Sequence, residues 1–386
     1  MNLHAPSITC GRALCGLGQA RLFFYLSLGS SLADWQRAGT LARETALYRA
    51  LLPHLAGVEV VSYGWQDRGL VAGLDGLQVH QNWPHLHLGI YRRLIERGLH
   101  IRGKGPAVVK SNQMQGARAA MRAARAAGYP FIARCGYLPS NNALWMKGDA
   151  DPQTQYWYRY EAQVFGGADR VAVTTPAMAA TVVNRYGVAP GKVRVVPNFV
   201  DTELFTPAGP ETRRGDLVLY VGRLHREKNL VNLVLAMAGL EAELVLVGQG
   251  PQRAELEDLA RRQGIRLRFL GQVSNALLPG LIRQATVFAL PSLGEHHPKA
   301  MIEAMACGAA VVGCDAYGIR EIIAPGENGL LPACDTDSIH QALVQALGDG
   351  ELRARLGAAA RAYVCKHFAF DRVLSLELDL LAELVG

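Results

Sequence analysis

Two doubly wound α/β domains, each built on its own parallel sheet, are predicted for this chain of 386 residues. Three observations carry the prediction. Short apolar runs alternate with longer helix-forming stretches, the pattern of successive βα units with helices on both faces of a sheet. The pattern stops at the Pro/Gly-rich segment Phe205-Thr206-Pro207-Ala208-Gly209-Pro210 and then starts again. The charge changes at the same place: residues 1–205 hold 22 Lys+Arg against 12 Asp+Glu, and residues 206–386 hold 18 against 21. The divisions expected are an N-terminal extension over 1–20, an N-terminal domain over 21–205, a C-terminal domain over 206–366 and a final helix over 367–386.

The elements follow in order. RLFFYLSLG (21–29) is a strand, and the polar stretch SSLADWQRAG is read as a loop before the helix TLARETALYRALLPHL. VEVVSYG (58–64) and GLQVHQN (76–82) are strands, and a helix follows around LHLGIYRRLIERG. PAVVKSN (106–112) is a strand before the Ala-rich helix of GARAAMRAARAAG, where Arg118, Arg122 and Arg125 share one face. YPFIARCGY is a strand and TQYWYRYEAQVFGGAD a helix. RVAVTT and KVRVVPN are strands around the helix PAMAATVVNRYG. After the hinge, GDLVLYVGRL, ELVLVGQG, LRFLGQV, TVFALPS, AAVVGC and NGLLPA read as strands with helices between them. FDRVLSLELDLLAELVG is a long apolar-rich helix.

Composition excludes several classes. No run of eighteen apolar residues is present, which argues against a transmembrane helix. The first twenty residues are too broken by His, Arg and Gly for a signal peptide. Seven cysteines without CxxC spacing argue against a disulfide framework and a cysteine zinc site. A cytoplasmic location is expected. The basic N-terminal half adds the expectation of peripheral contact with an anionic membrane at its inner face. Nucleic acid is not an expected partner.

Candidate functional residues gather in the second half. PSLGEHHPKAMIEAMACG places Glu295 on a loop and Glu303 in a short helix that opens near Pro298 and ends at Gly308. Strand, loop and helix N-terminus in that order form the ligand-binding end of an open α/β sheet. His296, His297, Pro298 and Lys299 present backbone N–H groups there. In YVGRLHREKN, Gly222 permits close backbone approach, and Arg223 and Lys228 are cations suited to a diphosphate; a pair of surface cations with partners such as Glu227 is the plainer alternative. Gly248 and Gly250 in VGQGP either admit a nucleotide or form an ordinary βα turn. The adjacent His296 and His297 point in different directions and are poor joint metal ligands, and VHQNWPHLH lacks HExxH spacing.

Taken in order, PNFVDTELF, VGRLHREKN, VGQGP, FLGQV, PSLGEHHPKAMIEAMACGAAVVG and GIREIIAPGENGLL resemble the retaining nucleotide-sugar glycosyltransferases of family 4, the group 1 glycosyltransferases. The resemblance is strong over about 190–335 and weaker before it. It implies a GT-B fold: two Rossmann-like domains facing across a cleft, the C-terminal one binding a UDP- or GDP-sugar, the final helix crossing back. It implies that Arg223 and Lys228 hold the donor diphosphate, that Glu295 faces hydroxyls of the transferred sugar, and that Glu303 holds the ribose. The backbone of His296–Lys299 would surround sugar and phosphate, and Gly271-Gln272-Val273 would wall the base. The acceptor would be a hydroxyl of a glycan or lipid-linked molecule, with no metal and no cofactor beyond the donor.

Two departures from the family pattern stand out. His296 replaces the usual Gly after the first glutamate, and Arg134-Cys135-Gly136-Tyr137 stands where many members have a His. Gly29, Ser30, Lys110, Asn112, Gln113 and Arg134 are the candidates for the acceptor side, from the ends of neighbouring strands. The rival readings are a nucleotide-sugar 2-epimerase of the same architecture and a non-catalytic polyanion- or carbohydrate-binding protein.

Overall fold

The computed structural model describes residues 16–67, 69–70, 74–207 and 217–385. The N-terminal extension therefore falls mostly outside the described residues, as do Cys10, Cys15 and the hinge from Ala208. Contacts divide the chain into two compact units. One runs to Val196 and takes up the chain again from Val373; the other is Pro197–Arg372.

The first unit holds seven strands: β1 (Arg21–Tyr25), β2 (Gly57–Val61), β3 (Gln78–His80), β4 (Ala107–Ser111), β5 (Phe131–Cys135), β6 (Arg170–Val173) and β7 (Val193–Val195). Their order is β3-β2-β1-β4-β5-β6-β7, and every pairing is parallel. Such a sheet is covered on both faces, which is why its central strands are apolar runs. Phe23, Phe24 and Tyr25 of β1 are buried throughout. The order reverses direction between β1 and β4, so the loops after these two strands flank the switch point.

Helices Leu41–Leu51, Leu88–Glu96, Ala117–Ala127, Pro152–Gly166 and Pro176–Tyr186 form as the periodicity predicts. The stretch SSLADWQRAG differs: Leu32–Arg37 is helical. Ser31 accepts from the Asp34 N–H while Asp34 accepts from the Ser31 N–H, a capping box written in the sequence.

The fully buried charges Glu59, Lys110 and Glu377 of this unit each have an ion-pair partner. Glu59 of β2 is fully buried and meets Arg21 at 2.8 Å and His80 at 2.5 Å. Lys110 of β4 has no exposed surface and pairs with the equally buried Glu377 of the C-terminal helix, Phe370–Val385. Glu383 of the same helix takes Arg170 at 2.6 Å and Arg194 at 2.8 Å. These ties make residues from Val373 onward part of the first unit.

The second unit holds β8 (Leu217–Val221), β9 (Glu243–Val247), β10 (Leu267–Gly271), β11 (Val287–Leu290) and β12 (Ala310–Gly313), again all parallel, in the order β10-β9-β8-β11-β12. Its switch point lies between β8 and β11. NGLLPA adds no further strand: Leu330 makes an isolated bridge to Val312, and Gly329 one to Pro325. Helices Thr336–Gly348 and Gly350–Phe368 close the unit, capped by Asp335 and Asp349.

The boundaries differ from the expected 205/206 and 366/367 for a packing reason. Val200 bridges Ala369, and Val200 and Phe205 belong to the second unit's core, so 197–205 goes with that unit. Among the described residues no helix is long and apolar enough to cross a membrane, and the five described cysteines are free thiols.

The buried pair in the first unit yields a test. Glu377→Ala leaves the Lys110 ammonium buried alone, and the expected loss is about 3–5 kcal/mol, read as a lowered denaturation midpoint. Lys110→Met with Glu377→Leu should recover most of it.

Candidate active site

The carboxyl ends of β8 and β9 are locked together by glycine. Gly222 donates its N–H to Val247 at 2.9 Å, and Gly248 donates to Gly271 at 2.7 Å with φ at +135°. A Cβ on Gly248 would stand 1.9 Å from the Gly222 carbonyl oxygen, and one on Gly250 would stand 2.2 Å from that of Leu224. The glycines of VGQGP thus serve backbone-to-backbone approach between two loops. The approach fixes the chain that leads from Gly222 to Lys228.

Lys228 ends a short turn over Arg226–Lys228, and Asn229 after it takes φ of +56° while its side chain donates to the Cys334 carbonyl at 2.8 Å. Lys228 Nζ meets Glu295 Oε1 at 2.5 Å, both side chains being mostly buried. Ser292 Oγ donates to the same carboxylate oxygen at 2.8 Å. The Glu295 N–H donates to Tyr317 at 2.9 Å, and Gly318 lets the chain pass where a Cβ would lie 2.2 Å from the Glu295 carbonyl oxygen. The Leu293 N–H donates to the Glu227 carbonyl at 3.0 Å. The loops after β8 and β11, the two strands flanking the switch point, are therefore joined by an ion pair and a backbone bond.

Arg223 stands apart from this pair. Its side chain is 69% exposed and meets Glu227 at 3.1 Å. Glu303 is buried on the helix Lys299–Ala306 and accepts from Asn275 Nδ2 at 3.0 Å. Asn275 follows Val273 by two residues in the loop after β10, so the carboxylate and the expected base wall are adjoining. Pro298 caps the helix and Gly308 leaves it with φ of +67°.

His296 and His297 are packed inward. The His296 ring meets Tyr317 edge-on at 5.6 Å, and His297 meets Phe368 at 4.8 Å. Asn198 donates to the His297 carbonyl at 3.1 Å. Burial, helped by the Lys228 ammonium, pushes His296 down to about 3, so this ring is neutral at physiological pH. Among the described residues no group of three or more His, Cys, Asp or Glu is placed to hold a metal ion.

In the first unit the expected acceptor-side residues form a rim at the ends of β1, β4 and β5. Gly29 takes φ of +80°, and Ser30 donates to the Ser27 carbonyl at 2.9 Å. Asn112 reaches Ser27 Oγ at 3.4 Å, Gln113 accepts from the Gly136 N–H at 2.8 Å, and Arg134 donates to the Asn112 carbonyl at 3.5 Å. Lys110 is not part of this rim. It points into the interior, where Glu377 holds it, because its position in β4 faces the C-terminal helix.

Sequence reasoning missed Asn275, Ser292 and Tyr317. Asn275 and Ser292 lie in quoted or neighbouring loops, yet a lone Asn or Ser carries no spacing signal. Tyr317 contributes a backbone carbonyl, which no residue type announces.

Two measurements follow. Gly248→Ala should lower thermal stability far more than Gly264→Ala, which has φ of +66° but nothing within 4 Å of an added Cβ. Equal shifts would remove the interlock from the account. For His296 the unfolded chain takes a proton below its ordinary 6.5 and the folded chain only near 3. Its contribution is therefore complete above pH 6.5 and lost as pH falls toward 3. The acid limb of stability against pH should be shallower in His296→Asn.

Known protein families match both halves of the chain. The family described as "Glycosyl transferases group 1" matches residues 203–363, and "Glycosyltransferase Family 4" matches 46–204. A D-inositol 3-phosphate glycosyltransferase from Xylanimonas cellulosilytica is 33% identical over 63% of this chain and 63% of its own. A phosphatidyl-myo-inositol mannosyltransferase from Mycolicibacterium smegmatis is 38% identical over 50% of this chain and 52% of its own. The chain thus spans little more than half to about three fifths of the length of these curated relatives. Among solved structures, sucrose-phosphate synthase from Thermosynechococcus elongatus superposes with a TM-score of 0.76 at 22% identity, covering 95% of this chain and 99% of that one. HepE from Anabaena, in complex with UDP and glucose, also gives 0.76, at 17% identity, covering 94% and 100%. Both likenesses concern the fold, which is GT-B. With adjoining family matches over 46–363 and two parallel-sheet Rossmann-like units, the chain belongs to the group 1 glycosyltransferases of family 4.

Proposed function

We propose that this protein moves a sugar from a nucleoside diphosphate sugar to a hydroxyl of a glycan or lipid-linked acceptor, with retention at the anomeric carbon and without a metal ion. The observation that carries the reading is the Lys228–Glu295 pair, delivered by the two strands that flank the switch point of the second sheet. An ammonium at that position suits a diphosphate, and a carboxylate beside it suits sugar hydroxyls. The family relation, and relatives that are a glycosyltransferase and a mannosyltransferase, support nucleotide-sugar chemistry with hydroxyl acceptors.

In this reading the donor diphosphate takes Lys228 Nζ, and Arg223, paired with Glu227 on the surface, swings to the same oxygens. Glu295, kept oriented by Ser292, accepts from hydroxyls of the sugar. Glu303, steadied by Asn275, accepts two hydrogen bonds from the ribose diol. The bond from the anomeric carbon to the phosphate oxygen breaks, and the bond to the acceptor oxygen forms on the same face. The acceptor proton passes to the departing diphosphate, whose growing charge the cations stabilise. No metal is then needed for that charge.

A panel of UDP- and GDP-sugars tests the reading. The wild type should consume one of them, with the transferred sugar retained in configuration. Glu303→Ala should weaken nucleotide binding by about 10- to 100-fold, the worth of hydrogen bonds to a charged group. Donor binding untouched by Glu303→Ala, or an epimerised donor formed without acceptor, would contradict it.

A further inference from the structure

The second unit brings two of its cysteines together. Cys314 leaves β12, and Cys334 stands directly before Asp335, the cap of the helix Thr336–Gly348. The two stretches run side by side. Val312 bridges Leu330, the Gly313 N–H donates to the Leu330 carbonyl at 2.9 Å, and the Asp315 N–H donates to the Pro332 carbonyl at 2.7 Å. Cys314 Sγ lies 3.8 Å from the Ala333 carbonyl oxygen, and its thiol shares a hydrogen bond with that of Cys334. Cys314 is 1% exposed, whereas Cys334 is reached by solvent. A buried thiol in contact with a partly exposed one suits a resolving cysteine behind an attacking one.

Each cysteine is one link away from the Lys228–Glu295 pair. The Cys334 carbonyl accepts from Asn229 Nδ2 at 2.8 Å and from Asn232 Nδ2 at 3.0 Å, and Asn229 directly follows Lys228. Cys314 opens the stretch to Tyr317, whose carbonyl takes the Glu295 N–H at 2.9 Å. Cys314 is also held from β11, because its N–H donates to the Leu290 carbonyl at 3.1 Å. A covalent bond brings two sulfurs closer than a hydrogen bond between thiols does. The movement needed to form it therefore falls on Cys334 and on the carbonyl that Asn229 uses.

We propose that Cys314 and Cys334 are a redox-modifiable pair, closed to a disulfide by a low-molecular-weight disulfide, and that closure loosens the hold on Lys228. The Cys334 thiolate attacks one sulfur of the oxidant, which releases one thiol and leaves a mixed disulfide. The Cys314 thiolate then attacks the Cys334 sulfur and releases the second thiol. Each cysteine gives up one electron, the oxidant takes both, and the two cysteine protons end on the two released thiols. Burial raises both thiols above their ordinary range, while the shared hydrogen bond raises Cys314 and lowers Cys334. Closure is therefore slow at neutral pH and faster as pH rises. The thiol pair stands without the transferase reading; its effect on a nucleotide rests on that reading.

The test incubates the whole reduced chain with oxidised glutathione at mildly alkaline pH, alkylates the remaining thiols and maps the peptides by mass spectrometry. The wild type should show a Cys314–Cys334 disulfide that dithiothreitol reverses. Cys314→Ala should stop at a glutathione adduct on Cys334, and Cys334→Ala should leave Cys314 unmodified. Amide hydrogen exchange around Lys228 and Asn229 should speed up in the oxidised wild type and stay unchanged when Cys314→Ala with Cys334→Ala is treated in the same way. UDP or GDP should bind the oxidised wild type about 3- to 10-fold more weakly than the reduced, the scale of one displaced hydrogen bond. Both thiols left unmodified, or a disulfide that changes neither exchange nor nucleotide affinity, overturns the proposal. Disulfide and exchange as expected in a protein that takes up no nucleotide when reduced would instead sink the transferase reading.

Discussion

One electrostatic contact organises the strand ends of the second sheet: Lys228 against Glu295. At 2.5 Å and mostly shielded from water, neither group keeps its charge cheaply without the other. The contact also joins the loops after β8 and β11, alongside the backbone bond from Leu293 to Glu227. A ligand with a diphosphate and a polyol offers each member a replacement partner. In the proposed reaction the pair is a resting arrangement that a two-part donor takes apart without leaving either charge bare.

The pair depends on backbone geometry that side chains could not supply. Gly222, Gly248 and Gly250 let two loops touch through main-chain atoms, and Gly318 lets a third pass against Glu295. A methyl group on Gly248, Gly250 or Gly318 would meet a backbone carbonyl oxygen at 2.2 Å or less, while one on Gly222 would meet the Tyr220 side chain. The buried His296 and His297 add support, packed on Tyr317 and Phe368. In a family that usually has glycine at the His296 position, this chain fills the space with a ring.

The fold was legible because its signals are periodic. Buried parallel strands are apolar runs, helices between them repeat at their own period, and the restart after Phe205 separates two such series. The site was legible in part, because Glu295, Glu303 and Lys228 lie in a motif whose order along the chain is specific. Distance was not legible. Nothing in YVGRLHREKN says that Lys228 turns inward to Glu295 while Arg223 turns out to Glu227. Lys110 read as a strand-end cation, yet burial of Glu377 on a helix 267 positions away claims it. That Arg92, Arg118, Arg122, Tyr156 and Tyr160 line one cavity required the third dimension as well, because they come from helices far apart in sequence.

In the proposed reaction Glu295 holds Lys228 until a diphosphate takes its place. Calorimetric titration of UDP and GDP into Lys228→Ala and Glu295→Gln tests it most directly. The account predicts weakened nucleotide in Lys228→Ala and unchanged or tighter nucleotide in Glu295→Gln, where the competing carboxylate is gone. Equal weakening in both variants would contradict it.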